Sequence, residues 1–413
     1  MTRHTKPEVT PDAATHGRRN RLRLLVRAAC LLAASAALWP LVPGSDVSFW
    51  VPAFSPFVAL AGVLATRELY AAAWLGLLVG AAVLVRRRLW CRWCCPVGLC
   101  LVGVSRLGRR LGRRPGRGPK WGQWMVLATL GGACLGYPLL LWLDPLALFA
   151  GAFGPGQRHL GYGASLSAVG LAAAVILSLR RPNTWCGFLC PLGAFQDLLY
   201  AVPRSVRLTF RRDVDGCPAA DRDGRLSRRV ILGAAVGAGS VGILGLAGDD
   251  RRGPRRPPNA RKESQFVALC TRCGNCVRSC PHGIIERDLG EYGLTSLLTP
   301  VLAFRNDYCR EDCTRCTEVC PSGAIGRLRV QDKASVRIGL PRVDMALCLL
   351  GDDRECSACA RWCPYGAVRY VFSETQYMLE PRIDPDKCTG CGACEAACPT
   401  KPHKAIVVVP RMG

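Results

Sequence analysis

The sequence predicts an α-helical membrane domain of four spans plus a fifth, followed by an α+β domain made of small repeats. Two observations support this division. Half of the 413 residues are apolar, and they concentrate before residue 250. Cysteines dominate the remainder, where they recur in groups of four. A chain of this length can hold two or three domains.

Four cysteine quartets follow residue 262. They are Cys270, Cys273, Cys276 and Cys280; Cys309, Cys313, Cys316 and Cys320; Cys348, Cys356, Cys359 and Cys363; and Cys388, Cys391, Cys394 and Cys398. The first and last have the C-x2-C-x2-C-x3-C-P spacing of bacterial ferredoxins, in which three thiolates hold one cluster and the fourth reaches a neighbouring cluster. The quartets predict four [4Fe-4S] clusters in an α+β polyferredoxin domain built from bacterial dicluster ferredoxin-like repeats. Pairing of consecutive quartets and pairing of the outer two both fit the spacing.

Other uses of clustered cysteines fit this pattern less well. Zinc ribbons use two C-x2-C pairs separated by a longer loop and place no demand on a following proline. Disulfides need a geometry that thiols two or three residues apart, repeated four times, do not offer. The proline after each quartet and the repetition favour iron–sulfur clusters.

Apolar runs in the first half predict the membrane spans. The runs cover residues 24–42, 69–85, 121–143 and 164–179, and each is near the length of about 20 residues that a bilayer core needs. Residues 47–66 are expected to form a re-entrant or interfacial segment, with an extra helix as the alternative. The lipid bilayer is therefore an expected partner.

The net charge of +25 supports the same interpretation. Such a charge ordinarily indicates nucleic acid or an anionic surface. Here the arginines cluster beside the apolar runs, at 86–120 and 180–212, as the positive-inside rule expects of cytoplasmic loops. We therefore expect no nucleic-acid binding.

Two further cysteine motifs, each C-x3-C-P-x-G, follow the second and fourth apolar runs. They contribute Cys91 and Cys95, and Cys186 and Cys190. Within each motif the thiols lie about one helical turn apart, so they can face the same way. Together the four predict one further [4Fe-4S] cluster in the membrane domain, with free thiols at helix ends as the alternative.

A twin-arginine segment separates the two halves. Arg228 and Arg229 precede a Gly/Ala-rich apolar run that ends at residue 248, the pattern of a Tat export signal that also serves as a fifth span. The expected domains follow from this. They are a disordered basic N-terminus at 1–21, the membrane domain at 22–212, the twin-arginine segment at 213–248, a linker at 249–262 and the ferredoxin-type domain at 263–413.

The order of these motifs resembles two known groups. Residues 20–200 resemble the NapH/MauN group of membrane iron–sulfur proteins, which is related to the NosR membrane domain, through the two C-x3-C-P-x-G motifs. Residues 225–410 resemble the NapG/MauM group of Tat-exported four-cluster ferredoxins, through the twin arginines and the quartets. The chain is similar to a fusion of both. NapH-type proteins usually carry a ferredoxin pair after the second motif, where this chain has only Cys217-Pro218.

The resemblance implies a multi-pass inner-membrane electron carrier with a periplasmic ferredoxin domain. It would take electrons from the quinol pool or a cytoplasmic donor and pass them to a periplasmic redox enzyme or cytochrome. NosR-like relatives imply the alternative of a factor that donates electrons for maturation or maintenance of a metalloenzyme. Enzymatic activity would be limited to quinol oxidation, because no residue set resembles a substrate-transforming site. Arginines beside the quartets, such as Arg272, Arg278, Arg315 and Arg361, are expected to raise reduction potentials or to be solvated.

Overall fold

The structure is a computed structural model. It describes residues 11–38, 49–116, 118–152, 163–201, 235, 239, 253–293, 295–352, 354–374 and 377–410. The predicted export signal at Arg228 and Arg229, Cys217 and the fifth span, apart from residues 235 and 239, lie outside the described residues.

Helices make up the first half. They are α1 (Pro11–Leu38), α2 (Trp50–Ala53), α3 (Pro56–Thr66), α4 (Ala71–Val85), α5 (Leu89–Trp93), α6 (Pro96–Arg110), α7 (Trp121–Cys134), α8 (Pro145–Ala152), α9 (Gly163–Arg180) and α10, which is helical over residues 191–201. A 3₁₀ turn, Leu141–Leu143, precedes α8, and a π-turn, Trp185–Leu189, precedes α10.

Besides α1, four of the described helices, α3, α6, α8 and α10, begin at a proline. The residue before the proline is Ser55, Cys95, Asp144 or Cys190, and its side chain accepts a hydrogen bond from the backbone N–H three residues later. Proline suits the first helical position because it has no N–H to leave unpaired there, and the preceding side chain caps one of the free donors. This local rule places two of the predicted cluster ligands, Cys95 and Cys190, at the starts of α6 and α10.

The predicted membrane architecture is wrong for this structure. Among the described residues, no helix is both long and apolar enough to cross a bilayer. The run of residues 121–143 does not form one helix, because α7 ends at Cys134 and Gly136 follows with a positive φ of 93°, and the run of residues 69–85 forms a helix, α4, of only 15 residues. Helix α1 has 28 residues but carries Arg23 and Arg27 near its centre. The expected fold of four spans plus a fifth, and the multi-pass inner-membrane localisation, are corrected accordingly.

The second half combines short helices with three two-stranded antiparallel sheets. The helices are α11 (Glu263–Leu269), α12 (Asn275–Ser279), α13 (Arg315–Glu318), α14 (Ala358–Arg361) and α15 (Ala393–Ala397). The strands are β1 (Ile285–Arg287), β2 (Pro300–Leu302), β3 (Gly339–Val343), β4 (Val368–Ser373), β5 (Met378–Ile383) and β6 (Ile406–Pro410). They pair as β1–β2, β3–β6 and β4–β5. This agrees with the ferredoxin-like part of the predicted fold.

Sheet β3–β6 pairs a strand from the middle of the second half with its last described strand. Leu340 pairs with Val409 and Val343 with Ile406. The segment before α11 packs on the same half, because Arg255 binds the Glu395 carboxylate at 2.9 Å and Arg256 lies 4.7 Å from the centre of the Phe266 ring. Buried arginines with carboxylate and aromatic partners fix the position of this segment.

The two halves pack against each other. Phe266 and Leu269 of α11 are fully buried in a cluster with Val58 and Ala61 of α3. Close approach needs a small residue here, since a Cβ on Gly62 would lie 2.9 Å from the backbone oxygen of Ser322. The ferredoxin-like half therefore packs directly on the helical half.

Candidate iron–sulfur sites

The first two quartets exchange their fourth cysteines. Burial raises the pKa of Cys276 far above that of a free thiol, and the charges of Cys273, Cys270 and Cys320 raise it further. Cys320 comes from the second quartet, and all four thiols line one small cavity. We call Cys270, Cys273, Cys276 and Cys320 site A.

The second site completes the exchange. Burial raises the pKa of Cys316, followed by the charges of Cys309, Cys280 and Cys313. Here Cys280 comes from the first quartet. We call Cys280, Cys309, Cys313 and Cys316 site B. This is the arrangement expected of the dicluster ferredoxin spacing, and it pairs consecutive quartets.

The last two quartets meet in the same way at site C, which we define as Cys363, Cys388, Cys391 and Cys394. Burial raises the pKa of Cys391 to about 11, and the charges of Cys363 and Cys388 contribute to that rise. Gly392 makes the turn between two of these cysteines with a φ of 86°, and a Cβ there would lie 2.2 Å from the Phe304 ring. Glycine is required at this position for both reasons.

The remaining four cysteines, Cys348, Cys356, Cys359 and Cys398, are called site D. Burial raises the pKa of Cys359, a hydrogen bond with Tyr370 at 3.3 Å lowers it, and the charge of Cys356 raises it. Cys348 and Cys398 pack in the same apolar cluster as Cys359. At Cys398 burial is outweighed by hydrogen bonds, first that of the Thr400 side chain, so its pKa lies below the usual thiol value.

The two motifs of the first half form the N-terminal site, Cys91, Cys95, Cys186 and Cys190. Burial raises the pKa of Cys91, and the charges of Cys95 and Cys190, then Cys186, raise it further while Arg88 lowers it. The four thiols therefore lie together, although about 90 residues separate the motifs along the chain. Cys95 and Cys190 are buried as the caps of α6 and α10.

Hydrogen bonds to sulfur surround the N-terminal site. Gly98 N–H donates to Cys95 Sγ at 3.3 Å, Gly193 N–H to Cys190 Sγ at 3.4 Å, and the Gln196 amide to Cys91 Sγ at 3.3 Å. Such donors stabilise thiolate and are among the features that set the potential of an iron–sulfur cluster.

Arginines make the surroundings of the N-terminal site strongly positive. Arg88 donates to the Cys186 carbonyl at 3.2 Å and pairs with Asp197 at 2.7 Å, and Arg87 shares that carboxylate. A cavity of about 600 Å³ adjoins the thiols and is also lined by Arg23 and Arg27. Positive charge of this density favours a cluster whose thiolate ligands make it an anion.

The donor sets fit [4Fe-4S] clusters. Each grouping consists of thiols, the ligands that hold these clusters, and sites A and B show the exchanged fourth cysteine of dicluster ferredoxins. Among the described residues, no three His, Cys, Asp or Glu side chains lie close enough to bind one metal ion. A [4Fe-4S] cluster does not need this, because its thiolates bind the cluster and not one common ion.

Sequence reasoning missed several residues of these sites. Gln196 and Asp197 follow the second motif by three and four residues, one helical turn beyond Gly193, and that spacing could have indicated them. Asp144 has no cysteine near it in sequence, so nothing linked it to the N-terminal site, although Asp before Pro145 is the pattern of a helix start. Of the arginines beside the quartets, Arg272 and Arg278 are half-buried, whereas Arg315 and Arg361 are exposed.

The cysteine groupings and the small α+β units that carry them define an iron–sulfur electron-transfer protein of the ferredoxin type. Family models agree with this class in both halves. A 4Fe-4S dicluster domain matches residues 269–324 and 354–401, and a 4Fe-4S binding domain matches residues 69–115 and 164–209. The second model thus spans the two C-x3-C-P-x-G motifs.

Sequence similarity to known proteins shows the family of this chain. Ferredoxin-type protein NapG of Escherichia coli is 35% identical over 196 residues, which are 44% of this chain and 83% of NapG. NapG of Haemophilus influenzae is 34% identical, over 47% of this chain and 74% of that protein. The methylamine utilization ferredoxin-type protein MauM of Methylobacillus flagellatus is 35% identical, over 38% of this chain and 68% of MauM. The chain therefore belongs to the ferredoxin-type family that includes NapG and MauM. No solved structure matches it.

Proposed function

We propose that this protein carries electrons from a donor at the N-terminal site, through sites A to D, to a partner redox enzyme or cytochrome. In this proposal each site holds one [4Fe-4S] cluster, which makes five clusters in the chain. The observation that carries it is that two distant motifs, Cys91 with Cys95 and Cys186 with Cys190, bring their four thiols to one cavity.

The surroundings of the thiols support a role in electron transfer. A [4Fe-4S] cluster supplies exchange of single electrons at a potential set by hydrogen bonds, charge and exposure. The N–H groups of Gly98 and Gly193 donate to sulfur, and Arg88 places positive charge beside the thiols. Both effects stabilise the more negative, reduced state and raise the reduction potential.

The first half is proposed to be related to the NapH/MauN group. Support comes from the two C-x3-C-P-x-G motifs and from the 4Fe-4S binding domain that spans them. On this basis a quinol is the first donor to test, and a cytoplasmic reductant is the second. The ferredoxin-type domain is proposed at 263–413, as expected from the sequence, with the segment of Arg255 and Arg256 packed on it.

Addition of a reduced quinol analogue to the anaerobic, cluster-loaded protein tests the proposal. Iron–sulfur absorbance and electron paramagnetic resonance follow the clusters, and a Cys95→Ser variant serves as the control for entry at the N-terminal site. Reduction of the parent protein but not of the variant supports a quinol donor. Reduction by dithionite alone indicates a stronger cytoplasmic donor. Protein that loads no iron, or clusters that dithionite leaves oxidised, would contradict electron transfer.

The same preparation separates sustained transfer from maturation. A carrier reduces its partner repeatedly as long as donor is supplied, whereas a maturation factor delivers a stoichiometric amount of electrons and then stops. Counting the electrons delivered per chain to the partner enzyme decides between the two.

A further inference from the structure

Helix α8 lies between the N-terminal site and site A. It begins beside the N-terminal site, because Asp144 caps its first turn and Pro145 lines the same cavity as the four thiols of that site. Eight residues span about 12 Å at 1.5 Å per residue. The other end of α8 therefore lies about 12 Å from the capped end.

That other end is held by arginines of the ferredoxin-like half. Arg278 donates to the Ala150 carbonyl at 3.0 Å, and Arg287 donates to the Gly151 carbonyl at 3.1 Å. The last carbonyls of a helix have no partner within the helix and carry its partial negative charge, so guanidinium groups are suited to bind them. Arg278 also donates to the Cys273 carbonyl at 3.0 Å, which ties the same side chain to site A.

One apolar cluster connects the two groups of thiols. It contains Cys95 of the N-terminal site, Ala147, Phe149 and Ala150 of α8, and Cys273 of site A. These residues are all buried, with Cys95 4% and Cys273 7% exposed. Packing of this kind leaves no layer of water between the two sites.

The remaining sites continue the series. Sites A and B draw their thiols from the same two quartets, and Cys276 of site A packs against the apolar cluster that contains Cys316 of site B. Site B meets site C through a backbone hydrogen bond of 2.9 Å from Cys309 N–H to the Cys391 carbonyl. Cys394 of site C and Cys359 of site D pack in the same apolar cluster.

We propose that α8 is the junction between the two halves and that site A is the first of the four C-terminal sites to receive an electron. This inference rests on the proposed function. The cysteines of the two sites would hold clusters that exchange single electrons, so one electron would pass from the N-terminal site, which would be oxidised, to site A, which would be reduced; no bond would form or break, and the reductant would be the donor of the preceding section. Sites B, C and D follow in that order. Arg278 and Arg287 are positioning residues that hold Cys273 against α8.

The test uses the cluster-loaded full chain with Arg278→Gln and Arg287→Gln combined. Glutamine removes the charge and the reach of the guanidinium group. The matched control combines Arg305→Gln and Arg354→Gln, which remove the same charge from the same half at side chains that are 74% and 65% exposed. Iron content and the electron paramagnetic resonance spectrum after excess dithionite first establish that all sites hold their clusters.

Two measurements then examine the junction independently of the natural donor. Hydrogen exchange of the α8 amides reports whether the contact has opened. Magnetic coupling between the N-terminal site and site A, in fully reduced protein, reports their distance. We expect faster exchange and weaker coupling in the Arg278/Arg287 variant and no change in the control. If the parent protein shows no such coupling although both sites are loaded, α8 is not the junction.

Electron delivery completes the test. With a donor that reduces the N-terminal site, the rate at which sites A to D become reduced should fall by about tenfold to a hundredfold in the Arg278/Arg287 variant, because small displacements of reacting groups have effects of this size. An unchanged rate in protein whose α8 contact has opened would overturn the inference. A parent protein whose N-terminal site holds no iron would instead contradict the proposed function. If the double variant loses iron, Arg287→Gln alone is measured, because that variant keeps the hydrogen bond from Arg278 to the Cys273 carbonyl.

Discussion

At the residue scale, the C-P-x-G sequence has a physical explanation. Cysteine caps the helix, proline occupies the first helical position, and glycine two residues later donates its N–H to the cysteine sulfur. Glycine leaves room at this position, since a Cβ on Gly98 would lie 3.0 Å from the Arg27 guanidinium and 3.4 Å from Cys95 Cβ. The motif thus fixes the direction of one thiol and supplies it with a donor.

Replacing Cys95 with serine should remove the cluster of the N-terminal site alone. Four thiols converge there, and a [4Fe-4S] cluster is held by four thiolates, so we expect a loss of about four iron atoms per chain. Iron analysis and the electron paramagnetic resonance spectrum measure this loss. Cys100→Ser is the matched control, because Cys100 is an exposed residue of the helix that Cys95 caps. This variant should contain as much iron as the parent protein. Equal iron in both variants would remove Cys95 from the ligand set.

Gly392→Ala should disrupt site C. Alanine at a φ of 86° is strained, and its methyl group would lie 2.2 Å from the buried Phe304 ring, so strain and overpacking add to about 2–5 kcal/mol. Gly293→Ala separates the two effects, because Gly293 has a φ of 96° with open space around it. We expect loss of about four iron atoms per chain in the first variant and full iron in the second. Full iron and unchanged thermal stability in Gly392→Ala would contradict the assigned contact.

At the scale of elements, one buried polar pair joins two helix starts. Ser55 caps α3 and its hydroxyl donates to Asp144 Oδ2 at 2.6 Å, while Asp144 caps α8 by accepting from Leu146 and Ala147 N–H groups. Both side chains are fully buried. Burial raises the pKa of Asp144 to about 6, although these hydrogen bonds lower it. Helix α3 packs on the ferredoxin-like half and α8 bridges the two halves, so this pair stabilises the whole contact.

Ser55→Ala should weaken the starts of both helices. It removes an N-cap and one hydrogen bond to a buried carboxylate, a loss of about 2–4 kcal/mol in opening free energy. The pKa of Asp144 is higher in the folded than in the unfolded state, so the folded state favours the protonated carboxyl group. This contribution to stability is present at low pH and is lost as pH rises through about 6. The variant raises that pKa further, so its destabilisation should be larger above pH 6 than below it.

Hydrogen exchange of the α3 and α8 amides on both sides of pH 6 measures this effect. Ser335→Ala makes the same chemical change at an exposed hydroxyl that donates to the Asp332 carbonyl, and it should leave both helices unchanged. Equal effects of the two substitutions, or an effect of Ser55→Ala that does not depend on pH, would rule out the Ser55–Asp144 pair as the cause.

At the scale of the whole molecule, sequence reasoning was most successful where spacing alone carries the chemistry. The proline-terminated quartets predicted a [4Fe-4S] ferredoxin half, and the family relationship confirms that class. Spacing left the pairing of quartets open, because a loop of any length can bring Cys320 to Cys276. The membrane prediction was wrong because apolar content was taken to mean continuous helix, whereas Gly136 and the 3₁₀ turn at Leu141–Leu143 interrupt the run of residues 121–143. The contact through α8 is carried by backbone carbonyls, for which sequence has no signal.

Removal of iron should affect the two halves unequally. The core of the ferredoxin-like half includes the thiols themselves, for example Cys309, Cys316 and Cys394, and its strands have at most six residues. Deprived of clusters, such a small core does not offset the entropy of ordering the chain. Helices α3 and α4 pack mainly through alanine, valine and phenylalanine, as at Phe57, and do not depend on metal.

Oxidation and chelation of the purified protein, followed by hydrogen exchange, checks this last expectation. Amides of residues 263–410 should lose protection, while those of α3 and α4 should keep most of theirs. Chelator added to dithionite-reduced protein under anaerobic conditions is the control, because it leaves the clusters in place. Uniform loss in both halves would mean that the helical half depends on iron for its own stability. Full retention of protection in residues 263–410 would mean that the short sheets stay folded without their clusters. Folding and cluster binding would then be separate events in this chain.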